Sequence, residues 1–243
     1  MRSNAEWRYW GKADPLWAVA AWAGKDRAGP EPWQPDEFLR LGQSDFRDIL
    51  HHWRHFGLTP GTCVEIGCGA GRMTGPLSLA FGRVVALDVS LGQLERARAL
   101  LAGWSTGMVF SLVDRPVIPL RDGSCTGVFS CHVFQHFSAY TGVVNYLRES
   151  YRVLRGGSSI CLHVPVPGAH QSSQRSAAWL AARNAKVGLA RMLGKRNVME
   201  YHRYAARTIF DTLAAEGFRD AELRIFSMAS NGDAHSFFFA SKP

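Results

Sequence analysis

An α/β fold, with a parallel sheet covered by helices on both faces, is what this 243-residue sequence predicts. Strand-like apolar runs alternate regularly with helix-spaced stretches from residue 60 onward, and the runs are nearly continuous rather than alternating, as strands buried on both faces require. Composition agrees: 47% hydrophobic and 20% charged residues are enough to build a core of this size and exclude a disordered or fibrous chain.

Taken in order, residues 1–34 hold Trp7, Trp10, Trp17, Trp22 and Trp33 between Gly-Lys, Asp-Pro, Gly-Pro and Glu-Pro breaks, so they read as an arm of short regular pieces packed on a domain. Helical spacing of Phe38, Leu41, Phe46, Ile49, Leu50 and Trp53 predicts a helix over 36–56, closed by Gly57 and Pro60. The arm and this helix make up residues 1–57, and one main domain follows over 58–243. Its first strand is placed at 63–67, a helix at 72–81, a strand at 83–88, and a helix at 91–101 with Ser90 as N-cap. Strands at 108–113 and 126–133 come next, then a helix over 139–154 ended by Gly156-Gly157 and a strand at 158–164. Residues 165–203 interrupt the alternation as a basic insert, and a helix at 205–216 with strands around 221–226 and 236–240 completes the chain.

The chemistry is concentrated in Val64-Glu65-Ile66-Gly67-Cys68-Gly69-Ala70-Gly71-Arg72, between the first strand and its helix. Glycine there lets the backbone turn sharply and lets a ligand approach without meeting a Cβ. The dinucleotide fingerprint G-x-G-x-x-G needs a glycine where Arg72 stands, which argues against NAD. With Glu65, Gly67, Gly69 and Gly71 in an E-x-G-x-G-x-G pattern, the chain resembles the class I S-adenosylmethionine-dependent methyltransferases, in their small-molecule branch, over about residues 60–165 and more weakly beyond. The resemblance implies a doubly wound, mostly parallel seven-stranded Rossmann-like sheet whose last strand, around 236–240, is antiparallel. It also implies S-adenosylmethionine as cofactor and a helical lid in the 165–203 insert.

Cofactor contacts are expected from Glu65, Gly67, Gly69 and Gly71, and from Asp88, which ends the second strand where an acid can accept both ribose hydroxyls. The alternative for Asp88 is a helix cap. Asp114, after the third strand, matches the family position that accepts the adenine amino group, with a plain turn acid as the alternative; Val89 and Val113 are placed to pack on the purine or in the core. After the fourth strand comes Ser130-Cys131-His132-Val133-Phe134-Gln135-His136, without the Asn/Asp-Pro-Pro-aromatic or Pro-Cys motifs of base-methylating enzymes. His136 matches a histidine common in the small-molecule branch and is the first candidate for a general base, with loop packing as its alternative; His202, where the insert rejoins the fold, is the second. His132 is expected inside the strand. His51, His52 and His55 include an i, i+4 pair but lack the acid of H-E-x-x-H, so they read as a solvated helix face and no metal is expected.

Between Pro165 and Arg207 eight basic residues (Arg175, Arg183, Lys186, Arg191, Lys195, Arg196, Arg203 and Arg207) face one acid, Glu200, a balance of +7 within a chain total of +8. A solvated basic helix is the bland account; an acidic small-molecule acceptor, an anionic membrane surface or nucleic acid is the functional one. The five cysteines, odd in number and without a C-x-x-C pair, read as reduced core thiols. No apolar run is long enough to span a bilayer and the first residues lack a signal-peptide stretch, so a cytoplasmic location is expected. The function expected is methyl transfer to a small molecule, at a hydroxyl oxygen; an RNA methyltransferase and a non-catalytic cofactor-binding partner protein are the alternatives.

Overall fold

A computed structural model describes residues 3–104, 107–168, 177–193, 199–228, 230 and 232–243. The arm forms α1 (Ser3–Ala13) and α2 (Pro15–Val19), and α3 (Pro35–Arg54) follows. Then come β1 (Thr62–Ile66), α4 (Thr74–Ala80), β2 (Arg83–Asp88), α5 (Leu91–Leu100), β3 (Met108–Leu112), β4 (Cys125–Ser130), α6 (Tyr140–Val153) and β5 (Leu154–His163). The insert carries α7 (Ala177–Met192), and α8 (Ala206–Ala215), β6 (Arg219–Ser227) and β7 (Ala234–Lys242) close the chain.

The seven strands form one sheet in the order β3-β2-β1-β4-β5-β7-β6. Strands β1 to β5 pair in parallel, with Val64 opposite Val85 and Val128, while β7 runs antiparallel to both β5 and β6. Side chains alternate between faces. Val64, Ile66, Val85, Leu87, Val128, Ile160 and Leu162 pack with Val143 and Leu147 of α6 and Ile209 and Leu213 of α8. Cys63, Val84, Ala86, Phe129, Cys161, Phe237 and Phe239 pack on the other face with Phe46, Ile49 and Trp53 of α3 and Leu77 of α4. Both faces being apolar explains why these strands read as continuous hydrophobic runs. Trp53 is fully buried and its Nε1 donates to Ser159 Oγ at 2.9 Å, so the ring fills the core without stranding its N–H.

Several boundaries move for local physical reasons. The helix expected from 72 begins at Thr74, because residues 70–73 are turns and Arg72 is drawn into a buried ion pair with Asp45. The fourth strand stops at Ser130, so His132 does not lie inside it as expected; it sits in a left-handed turn at φ 60°. Ser90 begins α5 without a side-chain cap bond, and its N–H is instead accepted by Asp88 Oδ1 at 2.9 Å.

The arm is more helical than its glycines and prolines suggest, since α1 runs eleven residues through Gly11. Gly11 serves a close crossing on α5: a Cβ at Gly92 would meet the Gly11 carbonyl oxygen at 2.6 Å. Asp14-Pro15, read as a break, is the start of α2, with Pro15 in the first turn and Asp14 Oδ1 accepting Trp17 N–H at 3.3 Å. Leu16, Ala20 and Trp33 then pack with Ala70 of the glycine loop and Leu101, and Asn4 Nδ2 donates to the Asp114 carbonyl at 2.8 Å. In the insert, Lys186 is exposed on α7, whereas Arg175, Lys195 and Arg196 lie outside the described residues.

Candidate active site

The strand order reverses between β1 and β4, which opens a crevice beyond their carboxyl ends. A cavity of about 370 Å³ occupies it. Its floor is the glycine loop, fixed to β2 because Gly67 and Cys68 N–H both donate to the Leu87 carbonyl at 2.8 and 2.9 Å. Gly67 and Gly69 line the cavity at φ 71° and 53°. A Cβ at Gly67 would lie 2.3 Å from Val133, and one at Gly69 2.4 Å from Val19 of the arm, so both positions need glycine for conformation and for space. Gly71, at φ 89°, faces Leu101 and Ala97 and serves packing.

Asp88 lies at the tip of β2 in the cavity wall. Gly69 N–H donates to its Oδ2 and Ser90 N–H to its Oδ1, each at 2.9 Å, so the carboxylate joins the loop to α5. Burial pushes its pKa up to about 6, and the backbone N–H bonds oppose that shift. The cap and the cavity-facing roles thus fall on one side chain. Val89 and Val113 line the same region.

Glu65 and Asp114 stand elsewhere. Glu65 is buried in β1 outside the cavity walls, accepts Thr74 Oγ1–H at the start of α4, and is pushed up to about 8 by burial. Asp114 turns its carboxylate outward, with a side chain 76% exposed and 4.0 Å from Arg115. Val113 N–H bonds the Asp88 carbonyl at 2.9 Å and extends the β3 geometry, so Val113 faces the cavity and its neighbour does not.

The opposite wall contains His136, in the single 3₁₀ turn Phe134–His136 after β4. Its Nδ1 lies 2.6 Å from the Glu200 carbonyl oxygen, and a carbonyl only accepts, so Nδ1 carries the hydrogen and Nε2 the lone pair. The ring edge of Trp7 packs on it at 4.8 Å. His202 is not among the cavity walls; its Nε2 lies 3.4 Å from Glu200 Oε2, and its N–H donates to the Gln135 carbonyl at 2.8 Å, tying the insert to the His136 turn.

Residues not assigned to the site from the sequence complete the cavity. Asn4, Trp7 and the stretch from Ala18 to Trp22 cover it from the arm. Arg72, at the position where a dinucleotide loop would need glycine, is buried and ion-paired with Asp45 of α3 in the same wall. His132 and His235 also line it, beside the buried His163, and burial with the two neighbouring imidazoles holds His132 well below its ordinary pKa. These three lie on different elements, so no spacing in the chain could reveal them. His51 and His55 stay on the outer face of α3, where His55 Nδ1 meets the His51 carbonyl at 2.8 Å, while His52 stacks on Phe226 at 4.0 Å. All five cysteines are free; Cys131 faces the cavity, but burial pushes its thiol up to about 12, which disfavours the thiolate. No helix among the described residues is long and apolar enough to cross a membrane.

Residues 64–162 match the methyltransferase domain family. Over 114 residues the chain is 32% identical to a malonyl-[acyl-carrier protein] O-methyltransferase of Methylococcus capsulatus, covering 46% of this chain and 40% of that protein. It is 26% identical over 177 residues to a tRNA (carboxymethyluridine(34)-5-O)-methyltransferase of Macaca fascicularis, covering 70% of this chain and 24% of that one. The chain therefore spans well under half the length of both relatives. Among solved structures, a geranyl diphosphate methyltransferase in complex with geranyl diphosphate and sinefungin superposes with a TM-score of 0.65 at 14% identity, with both chains covered in full, which shows a common fold.

Proposed function

We propose that this chain, whose residues 64–162 match the methyltransferase domain family, is a class I S-adenosylmethionine-dependent methyltransferase that methylates an oxygen of a small, acidic molecule, with His136 as general base. One observation carries the reading: His136 Nδ1 bonds the Glu200 carbonyl, which supports a tautomer with the basic nitrogen at Nε2, on a ring that lines the same cavity as Asp88. The malonyl-[acyl-carrier protein] and tRNA relatives are both named as O-methyltransferases, which supports the choice of acceptor atom. The basic balance of the insert supports a negative charge on the acceptor.

The residues fit the cofactor. A buried carboxylate in the cavity wall suits the paired hydroxyls of a ribose, the Val89 and Val113 side chains suit the faces of a purine, and the cavity has the size of a small-molecule site. Bound S-adenosylmethionine supplies a methyl group already activated on a cationic sulfur. The chain's own task is to align the acceptor and keep water out. The arm covers the cavity with Trp7 and Trp22, and His136 Nε2 takes the hydroxyl proton as the new bond forms, while Nδ1–H leaning on the Glu200 carbonyl stabilises the resulting imidazolium.

His136→Ala is expected to lower turnover by about 10²–10⁴-fold and leave cofactor affinity unchanged. Normal turnover in the folded variant overturns the base assignment. The substrate class is read by incubating the protein with methyl-labelled cofactor and separated fractions of small anionic metabolites and bulk RNA. Label in the metabolite fraction is expected. The tRNA-modifying relative makes RNA the second reading, and label in RNA, with binding that weakens steeply as salt rises, would replace the first.

A further inference from the structure

At the rim where β4, β5 and β7 meet, three imidazoles converge from distant parts of the chain. His132 follows β4, His163 is the last residue of β5, and His235 is the second residue of β7. Their ring centroids are 4.3 Å (132 to 163), 5.1 Å (132 to 235) and 5.3 Å (163 to 235) apart. One ring nitrogen from each lies within 4.8 Å of the other two, and His235 Nδ1 is 3.3 Å from His163 Nε2. Nitrogens bound to a tetrahedral zinc at about 2.0–2.1 Å stand roughly 3.3–3.4 Å apart. The His163–His235 hydrogen bond already has that separation, and a metal would replace its shared proton.

We propose that His132, His163 and His235 form a binding site for a divalent transition metal of the zinc type, with an open coordination position facing the cavity. The donor set is chemically apt, because imidazole nitrogen suits zinc and its d-block neighbours, and three such ligands with a vacant fourth position are a catalytic rather than a structural arrangement. Topology holds the set in place: His163 and His235 stand on adjacent antiparallel strands and both are buried, so the sheet fixes their separation. His132 joins them from a left-handed backbone at φ 60°, a conformation that disfavours a non-glycine residue and that recurs where function over-determines geometry. His132 and His235 line the cavity, so a ligand of the metal would enter from the same space as the methyl acceptor. The metal would hold an acceptor oxygen and favour its ionised form. That role rests on the methyl-transfer reading, whereas the site itself does not.

The experiment uses the full chain, stripped with a chelator and free of cofactor and acceptor. Titration with Co²⁺ is expected to saturate at one equivalent with the strong visible d–d absorption of a tetrahedral centre, and Zn²⁺ is expected to abolish it. His163→Gln and His132→Ala should each lose that absorption and weaken Zn²⁺ binding by at least about tenfold, while the double variant His51→Ala with His55→Ala, which removes the helix-face pair, should retain both. X-ray absorption on the zinc-loaded wild type, with three imidazole nitrogens at about 2.0–2.1 Å expected, gives a readout if a variant fails to fold. Absence of tetrahedral absorption, its persistence in folded His163→Gln, or its loss in the helix-face variant would overturn the site. Because no turnover is measured, failure of the metal site and failure of the methyl-transfer reading are separate results.

Discussion

The carboxylate of Asp88 does two things that pull its protonation in opposite directions. Burial favours the neutral acid, and the Gly69 and Ser90 N–H groups favour the anion, with a balance near pH 6. Only the anion offers an acceptor on each oxygen to a pair of ribose hydroxyls. Cofactor affinity is therefore expected to be full above pH 7 and to fall as the pH drops through about 6, the direction set by a raised carboxyl pKa. Charge-assisted bonds are worth roughly 1.5–3 kcal/mol each, so Asp88→Ala should bind at least about tenfold more weakly at pH 7.5, and its remaining affinity should no longer follow this pH profile. Calorimetry across the pH range checks both; a folded Asp88→Ala protein with unchanged affinity would remove the residue from the site. The place of Asp88 in the cavity wall was legible in the sequence because the acid ends a buried strand beside a glycine loop. Asp114 has the same local look, yet its placement depends on how β3 alternates at its end, and the carboxylate faces solvent.

Among the elements, the crossing of α1 over α5 determines whether the cavity has a cover. The two helices meet at Gly11 and Gly92, where a Cβ on Gly92 would strike the Gly11 backbone. Gly92→Ala should leave α5 intact, since alanine favours a helix over glycine by about 1 kcal/mol, yet it must push α1 outward with Asn4 and Trp7 attached. Dissociation of S-adenosylhomocysteine is expected to become at least about tenfold faster, an effect of at least about 1.4 kcal/mol, with an unchanged far-ultraviolet spectrum. An unchanged rate would mean that α1 is not needed as a cover. The strands were readable because both faces of the sheet are buried and their apolar runs are unbroken. The length of α1 was not, because a glycine used for close approach looks locally the same as one that ends a helix.

For the whole molecule, ligand binding and stability are coupled through a cavity whose walls come from residues as far apart as Asn4 and His235. A ligand at a hundred times its Kd stabilises the folded state by about 2.7 kcal/mol, which for a chain of this size raises Tm by about 5–10 °C. S-adenosylhomocysteine is expected to give such a shift and NAD none, since Arg72 stands where the dinucleotide loop needs glycine; a shift with NAD alone would reverse the cofactor choice. At this scale the sequence exposes the α/β alternation and the glycine loop, which are local, but not the arm's cover or the histidine cluster, which exist only through contacts between distant residues, as from Asn4 to Asp114 or from His163 to His235. Those contacts also impose a timetable on synthesis. Asn4 and Trp7 leave the ribosome before the glycine loop, and the strand carrying His235 emerges well after both, so a nascent chain has the glycine loop long before it has an enclosed pocket. During that interval the tryptophans of the arm have no finished surface to cover, and they are apolar surface for a chaperone to shield.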